Sequence, residues 1–212
     1  MNAPSADDAT VFVVDDDPSV REAISSLLRS VQLDVVAYES ARDFLEHRRP
    51  ATNACLILDV RMPGISGLDL QQQLTASDAP LPIVFITGHG DIPMAVRAIK
   101  AGAVEFLQKP FRDDDLLTAV SNALARDREA RREREALEAV RARYATLTER
   151  EREVLLPIVQ GSLNKQVGAA LGVTEQTVKV HRHNIMRKMA AASLPDLVRM
   201  IESLKAAGSL PS

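Results

Sequence analysis

At 212 residues, 46% hydrophobic and 26% charged, the chain is long enough for one large or two small domains with real cores, and its composition excludes a disordered protein. Its formal net charge of −3, taken whole, argues against a nucleic-acid binder, and 3% aromatic residues without tryptophan exclude stacking platforms for single strands or sugars. Cys55 stands alone in the apolar run Ala54–Leu58 and reads as a small core hydrophobe in a reducing compartment; with no signal-peptide pattern and no run near the ~18 residues of a membrane span, a cytoplasmic protein is expected.

Residues 10–110 alternate short apolar runs with helical patterns. Val11–Val14, Leu33–Ala37, Cys55–Leu58, Ile83–Ile86 and Val104–Leu107 adjoin turn signals, as buried parallel strands do. Between them, Ile24, Leu27, Leu28 and Val31 make one helical face, and Ile92, Ala95, Val96 and Ile99 another. Asp17–Pro18 sets a capping acid before a first-turn proline, and Ser66–Asp69 has the form of a capping box. Five strands alternating with helices predict an α/β domain with a parallel sheet and right-handed crossovers, whose ligands bind beyond the carboxyl ends of the strands.

From about Asp113 the pattern changes. Leu116, Leu117, Val120 and Leu124 continue a last helix, and RDREARREREALEAVRAR then carries no large apolar residue before Leu137. Opposite charges fall at helical spacing, Asp127 with Arg131 and Arg134 with Glu138. Ala130, Leu137 and Tyr144 alternate with Val140 and Leu147 at heptad spacing, but too briefly to favour a coiled coil over a solvated helical linker. If continuous, residues 113–144 span ~48 Å at 1.5 Å per residue.

A second, all-α domain begins at Leu147. Thr148–Glu151 is a capping box opening a helix that ends before Gly161, Asn164–Leu171 is a short helix closed by Gly172, and Thr174 caps a basic helix through Met189. Ser193–Asp196 opens the last helix, with Leu194, Leu197, Val198 and Ile201 on its apolar face. Four short helices with a tight turn in the middle pair predict a helix-turn-helix. Pro157, inside the first of them, predicts a kink.

Asp15, Asp16 and Asp17 follow the first strand and Asp59 the third, so a parallel sheet crowds these carboxylates into one crevice, where their repulsion calls for a cation or a proton. An all-oxygen site of this kind suits Mg²⁺ or Mn²⁺. Two more strand ends supply the Thr87 hydroxyl and the Lys109 ammonium. Together these groups can transfer a phosphoryl group by positioning and charge neutralisation. Asp17 taken by itself reads as a helix cap.

VVDDD, LDVRMPGISG, ITGHGD and EFLQKPF, in this order over residues 8–125, resemble the signature blocks of response-regulator receiver domains, five-stranded (βα)5 folds of flavodoxin-like topology. The resemblance implies that Asp59 is the phosphoacceptor, attacking a phosphohistidine of a sensor histidine kinase. It implies that Asp16, Asp59 and the backbone carbonyl of Arg61 bind the metal directly, with Asp15 helping through water. Thr87 and Lys109 would hold phosphoryl oxygens, and Phe106, by periodicity alone a strand-core residue, would be the switch aromatic. Lys109–Pro110 occupies the family's cis-peptide position. Arg61 and His89 flank the expected water path and are read as tuning the lifetime of the phosphoryl group.

The charge is unevenly spread. Residues 1–125 hold 10 basic and 18 acidic residues, net −8; residues 126–145 hold 7 and 5, net +2; residues 146–212 hold 9 and 6, net +3. Within Thr174–Ala190, Lys179, Arg182, Arg187 and Lys188 oppose only Glu175, the electrostatic footprint of a DNA reader. LTEREREVLLPIVQG, NKQVGAALGVTEQTVKVHRHNIMRKM and SLPDLVRM resemble the LuxR-type helix-turn-helix of FixJ/NarL regulators, closest in pattern to FixJ-type and styrene-catabolism regulators. The resemblance implies that Lys179, Val180 and His183 face base edges, while Thr174, Thr177, Arg182 and Arg187 hold phosphates. Val178, Ile185 and Met189 are expected in the core.

The expected molecule is thus a receiver domain (8–125), a helical linker (126–145) and a DNA-binding domain (146–208). It would be a phosphorylation-dependent transcriptional regulator rather than an enzyme, its partners a kinase, promoter DNA and RNA polymerase, with no membrane role. Dimerisation would follow a shift of the fourth helix, fifth strand and fifth helix (Asp91–Leu124), with Ser193–Leu204 as a second contact. The alternative, a phosphatase of the aspartyl-phosphate type, would need a general acid near Asp59 and a substrate lid, and neither is evident. Lys179→Ala is expected to weaken specific DNA binding by about 1–3 kcal/mol. Arg187→Ala should instead weaken binding to all DNA and lower the salt slope; equal losses on random and operator DNA for both variants would contradict this division.

Overall fold

The computed structural model describes residues 9–46, 52–76, 80–88 and 92–209, in two compact units that divide between Arg131 and Arg132. In the first unit, strands β1 (Ala9–Val14), β2 (Asp34–Tyr38), β3 (Asn53–Asp59), β4 (Ile83–Thr87) and β5 (Glu105–Gln108) alternate with helices α1 (Pro18–Ser30), α2 (Ala41–Glu46), α3 (Gly67–Thr75), α4 (Ile92–Lys100) and α5 (Asp113–Ala145). All strand pairings are parallel, in the order β2-β1-β3-β4-β5. The chain adds β2 on one side of β1 and the remaining strands on the other, so the order reverses between β1 and β3 and a crevice opens there at their carboxyl ends.

The central strands are mostly apolar, yet their alternation still divides them between two cores. Phe12, Val14, Leu56, Leu58 and Phe85 face Phe44 of α2, Leu70 and Leu74 of α3 and Ala98 of α4. Val11, Val13, Cys55, Ile57, Val84 and Ile86 face Ile24 and Leu28 of α1 and Leu116, Val120 and Leu124 of α5. Burial of Cys55, with the charge of Asp127 adding to it, pushes its thiol pKa up, in keeping with the inert core role expected. Asp17 caps α1 by accepting from the Ser19 N–H at 2.8 Å, and Ser66 and Asp69 form the expected capping box on α3.

Two expectations change. Ile92, Val96 and Ile99, from the expected helical face of α4, are exposed, Ile92 at 81%, and the helix buries Ala98 instead. A small residue lets α4 approach the sheet, and its bulky apolar stripe stays outside. Asp127, expected in a solvated linker pair, is 2% exposed. Its carboxylate accepts from the backbone N–H of Ala54 at 2.9 Å and from Arg131 Nε at 2.6 Å, fastening α5 to the start of β3.

The second unit holds the remainder of α5 with α6 (Glu149–Val159), α7 (Asn164–Leu171), α8 (Glu175–Met189) and α9 (Leu194–Ala206). Val154, Leu155, Ile158, Val167, Val178, Ile185, Met189, Leu197, Ile201 and Leu204 form its core, and Val178, Ile185 and Met189 are buried as expected. Leu137, Val140 and Tyr144 pack against that core, with the Arg152 guanidinium 5.3 Å from the Tyr144 ring centroid. From Leu137 to Tyr144 the heptad-spaced residues are therefore half-buried against the core of the second unit rather than lying on a fully solvated linker. α6 continues through Pro157 and ends two residues later. Pro157 lies in the last turn, where its missing N–H costs a single intrahelical bond.

A buried ion pair ties this unit together. Glu151, the N3 residue of the Thr148 capping box, accepts from the Thr148 N–H at 2.8 Å and from Lys188 Nζ at 2.6 Å, while Lys188 also donates to the Thr146 carbonyl at 3.2 Å. Burial pushes the Glu151 carboxyl up, but the hydrogen bonds from Lys188 and Thr148 and the Lys188 charge hold it below its ordinary 4.5. A carboxyl lowered in the folded state stabilises fully above its unfolded pKa, and that contribution is lost as the pH falls through the depressed folded value. Glu151→Gln should lower the stability of the second unit by about 1–3 kcal/mol at pH 7 in urea unfolding. The gap to the unsubstituted protein should close below pH 4.5, and a gap independent of pH would contradict the assignment.

Candidate functional site

The crevice at the β1–β3 reversal is built from four strand ends. Asp15 directly follows β1 and is 1% exposed; Asp59 is the last residue of β3 and 6% exposed. Ligand atoms of Asp15, Asp16 and Asp59 all lie within 4.8 Å of one another, with Asp16 open to solvent. Lys109 follows β5 and returns to the crevice, its Nζ 2.6 Å from Asp15 Oδ2 and 3.5 Å from Asp59 Oδ1. Thr87 ends β4, fully buried; its neighbour Ile86 pairs with Asp59 in the sheet, and its carbonyl accepts from the Lys109 N–H at 2.8 Å. The Lys109–Pro110 bond is cis.

Electrostatics set the character of this pocket. Burial raises the Asp59 carboxyl pKa and the Asp15 charge adds to the rise, against the opposing pull of Lys109 and of the Arg61 N–H, which donates to Asp59 Oδ2 at 3.2 Å. One ammonium among three carboxylates leaves a net negative cluster of oxygen donors, and that donor set fits a hard divalent cation. Arg61 itself is exposed. Phe106 is half-buried on β5 with its ring 6.3 Å from Phe85, so it lies at the rim of the core rather than deep within it. His89 and Asp91 fall outside the described residues.

Two residues without a catalytic signature shape the pocket. Arg21 of α1 donates from Nη1 to the Asp15 carbonyl at 2.7 Å, which fixes the acidic loop while leaving its carboxylates available. A Cβ on Gly67 would lie 2.3 Å from the Asp59 carbonyl oxygen, so only glycine lets α3 begin this close to the end of β3. Gly67 is visible in the sequence only as part of a motif, and Arg21 only as an ordinary helix charge. Neither contact follows from periodicity.

In the second unit, α7 and α8 are joined by a three-residue turn. Gly172 takes φ +66°, and a Cβ on Gly168 would lie 2.8 Å from the Val173 carbonyl. Thr174 caps α8, its hydroxyl accepting from the Thr177 N–H at 3.1 Å. Lys179, Val180, His183 and Arg187 are exposed along α8, with Lys179 3.1 Å from Glu175. Arg182 stands apart from that line, lining a half-open cavity of about 380 Å³ with Asn164, Lys165 and Leu194. Lys188, counted among the free cations of the helix on charge alone, is spent on Glu151. The exposed basic line of α8 is thus narrower than its composition, and it points away from the buried Val178, Ile185 and Met189.

Among the described residues, no helix is long and apolar enough to cross a membrane. Residues 11–121 match the response regulator receiver domain, and residues 145–201 match the bacterial regulatory proteins of the luxR family. The chain is 52% identical over 196 residues to nodulation protein W of Bradyrhizobium diazoefficiens, covering 92% of this chain and 86% of that protein. It is 50% identical over 198 residues to the response regulator protein TmoT of Ectopseudomonas mendocina, covering 93% and 90%. The solved structure of the response regulator StyR is similar over 92% of this chain and 98% of that one, with a TM-score of 0.82 at 54% identity. With receiver and DNA-binding units in one polypeptide, the chain belongs to the response regulators that control transcription, in the branch carrying a luxR-family helix-turn-helix.

Proposed function

We propose that Asp59 accepts a phosphoryl group from a sensor histidine kinase and that this modification controls binding of promoter DNA by α8. The observation that carries the reading is the contact of Lys109 with both Asp15 and Asp59 at the sheet's reversal point, on the same chain as an exposed basic recognition helix. The Asp59 carboxylate attacks phosphorus as the bond to the kinase histidine breaks, and the imidazole leaves with the electron pair. Lys109 and the Thr87 hydroxyl hold the phosphoryl oxygens. Asp16, Asp59 and the Arg61 carbonyl, with Asp15 behind them, would hold Mg²⁺ or Mn²⁺, which when bound supplies positive charge to the transferring oxygens. In this reading the pocket is modified once and holds the phosphoryl group as a switch, rather than turning over as an enzyme.

The outward stripe of Ile92, Val96 and Ile99 on α4 supports dimerisation of the phosphorylated form through α4, β5 and the first part of α5, where Phe106 relays the change at Thr87. Pairing two copies would set two α8 helices on adjacent half-sites, with Ser193–Leu204 as a second contact, and activation through RNA polymerase would follow in the cytoplasm. The functional division is a receiver over residues 8–125, the connecting helix over 126–145 and the DNA-binding domain over 146–208. Acetyl phosphate with Mg²⁺ should label the protein to one phosphoryl group per chain. Asp59→Asn should abolish the label and the accompanying gain in DNA binding. Continuous release of phosphate without accumulation of label would favour a phosphatase and defeat the switch.

A further inference from the structure

We infer that Gln176, a neutral residue with no place in the charge pattern, reads an adenine edge in the major groove; the inference rests on the DNA-binding role of α8. The core side of that helix is marked by buried Val178, Ile185 and Met189. Gln176 lies nine residues from Ile185, about two and a half turns at 3.6 residues per turn, and so on the opposite side of the helix. It lies eleven residues from Arg187, about three full turns, on the same line. Lys179, Val180 and His183 fall between them at helical spacing, and all five are exposed.

Gln176 also occupies the end of the helix that matters for reading. It is the second residue of α8, next to the Thr174 cap, and the amino-terminal residues of a recognition helix are those that reach base edges. Its neighbour Glu175 is held to the flank by Lys179 at 3.1 Å, while Gln176 is exposed, which leaves its amide accessible to a partner outside the chain. A planar amide offers one donor and one acceptor side by side, the complement of adenine N7 and N6. A phosphate would use only the donor. Lysine on the same line offers donors only and cannot make this pairing, so Gln176 brings a base preference that the cations do not.

The full-length protein, phosphorylated with acetyl phosphate and Mg²⁺, should select from a random pool of double-stranded DNA a sequence with a constant adenine in each half-site. Gln176→Ala should lose that adenine preference and bind the selected sequence about 5- to 150-fold more weakly, with binding to random DNA unchanged. Gln176→Glu, which suits the first turn of a helix, should keep the fold and move the preference at that position from adenine to cytosine, whose N4 amine a carboxylate can accept. Selection of the same sequence by all three proteins, or equal loss of selected and random DNA by the variants, would overturn the inference. If the unsubstituted protein enriches no sequence, the DNA-reading role of α8 fails first and Gln176 falls with it.

Discussion

The receiver unit depends on one constraint, the repulsion among carboxylates that a parallel sheet brings to one end. β1 and β3 are adjacent and parallel, so Asp15 and Asp59 finish side by side with no solvent between the strands to separate them. Lys109, arriving from the end of β5 across β4, is the cation that bridges them. Burial and the Asp15 charge still raise the Asp59 carboxyl pKa in its presence, so the cluster remains short of positive charge. A pocket left in this condition is receptive to a divalent cation. The same imbalance that makes the strand ends costly to assemble makes them responsive.

In the second unit the constraint is positional. A recognition helix is useful only if its outward line keeps a fixed aim, and α8 is fixed at both ends. The Thr174 cap and the close passage of Gly168 past Val173 hold its start, while Lys188, Glu151 and the Thr146 carbonyl hold its finish. Using Lys188 this way removes a cation from the surface and returns rigidity. Leu137, Val140 and Tyr144 extend the same core, so the end of α5 is part of the DNA-binding unit's packing.

Much of this was legible in order along the chain. The five strands, the caps at Asp17, Ser66, Thr148, Thr174 and Ser193, and the core positions of α8 follow from local chemistry and periodicity, which act over a few residues. The misreadings involve faces and partners. The apolar stripe of α4 has the right spacing to pack inward, but which side meets the sheet is decided by how closely Ala98 can approach. The Asp127–Arg131 pair has the spacing of a solvated bridge, but the Ala54 N–H, 73 residues away in the chain, makes Asp127 a buried fastening. Lys188 counts as one more free cation until its partner Glu151, 37 residues away in the chain, is known.

The amino-acid sequence by itself determined which residues are candidates for the chemistry, because acids, a hydroxyl and a lysine at strand ends, and a basic capped helix after a tight turn, are local patterns. Net charge concealed this, since a surplus of acid in one unit and of base in the other nearly cancel. Only the tertiary structure decided which charges are spent and which remain. Lys109 and Lys188 are both taken up by buried carboxylates, whereas Lys179 and Arg187 stay on an exposed line with Gln176. The reason is physical: an ion pair across the fold depends on distances set by packing of segments far apart in the chain, and no local spacing encodes them.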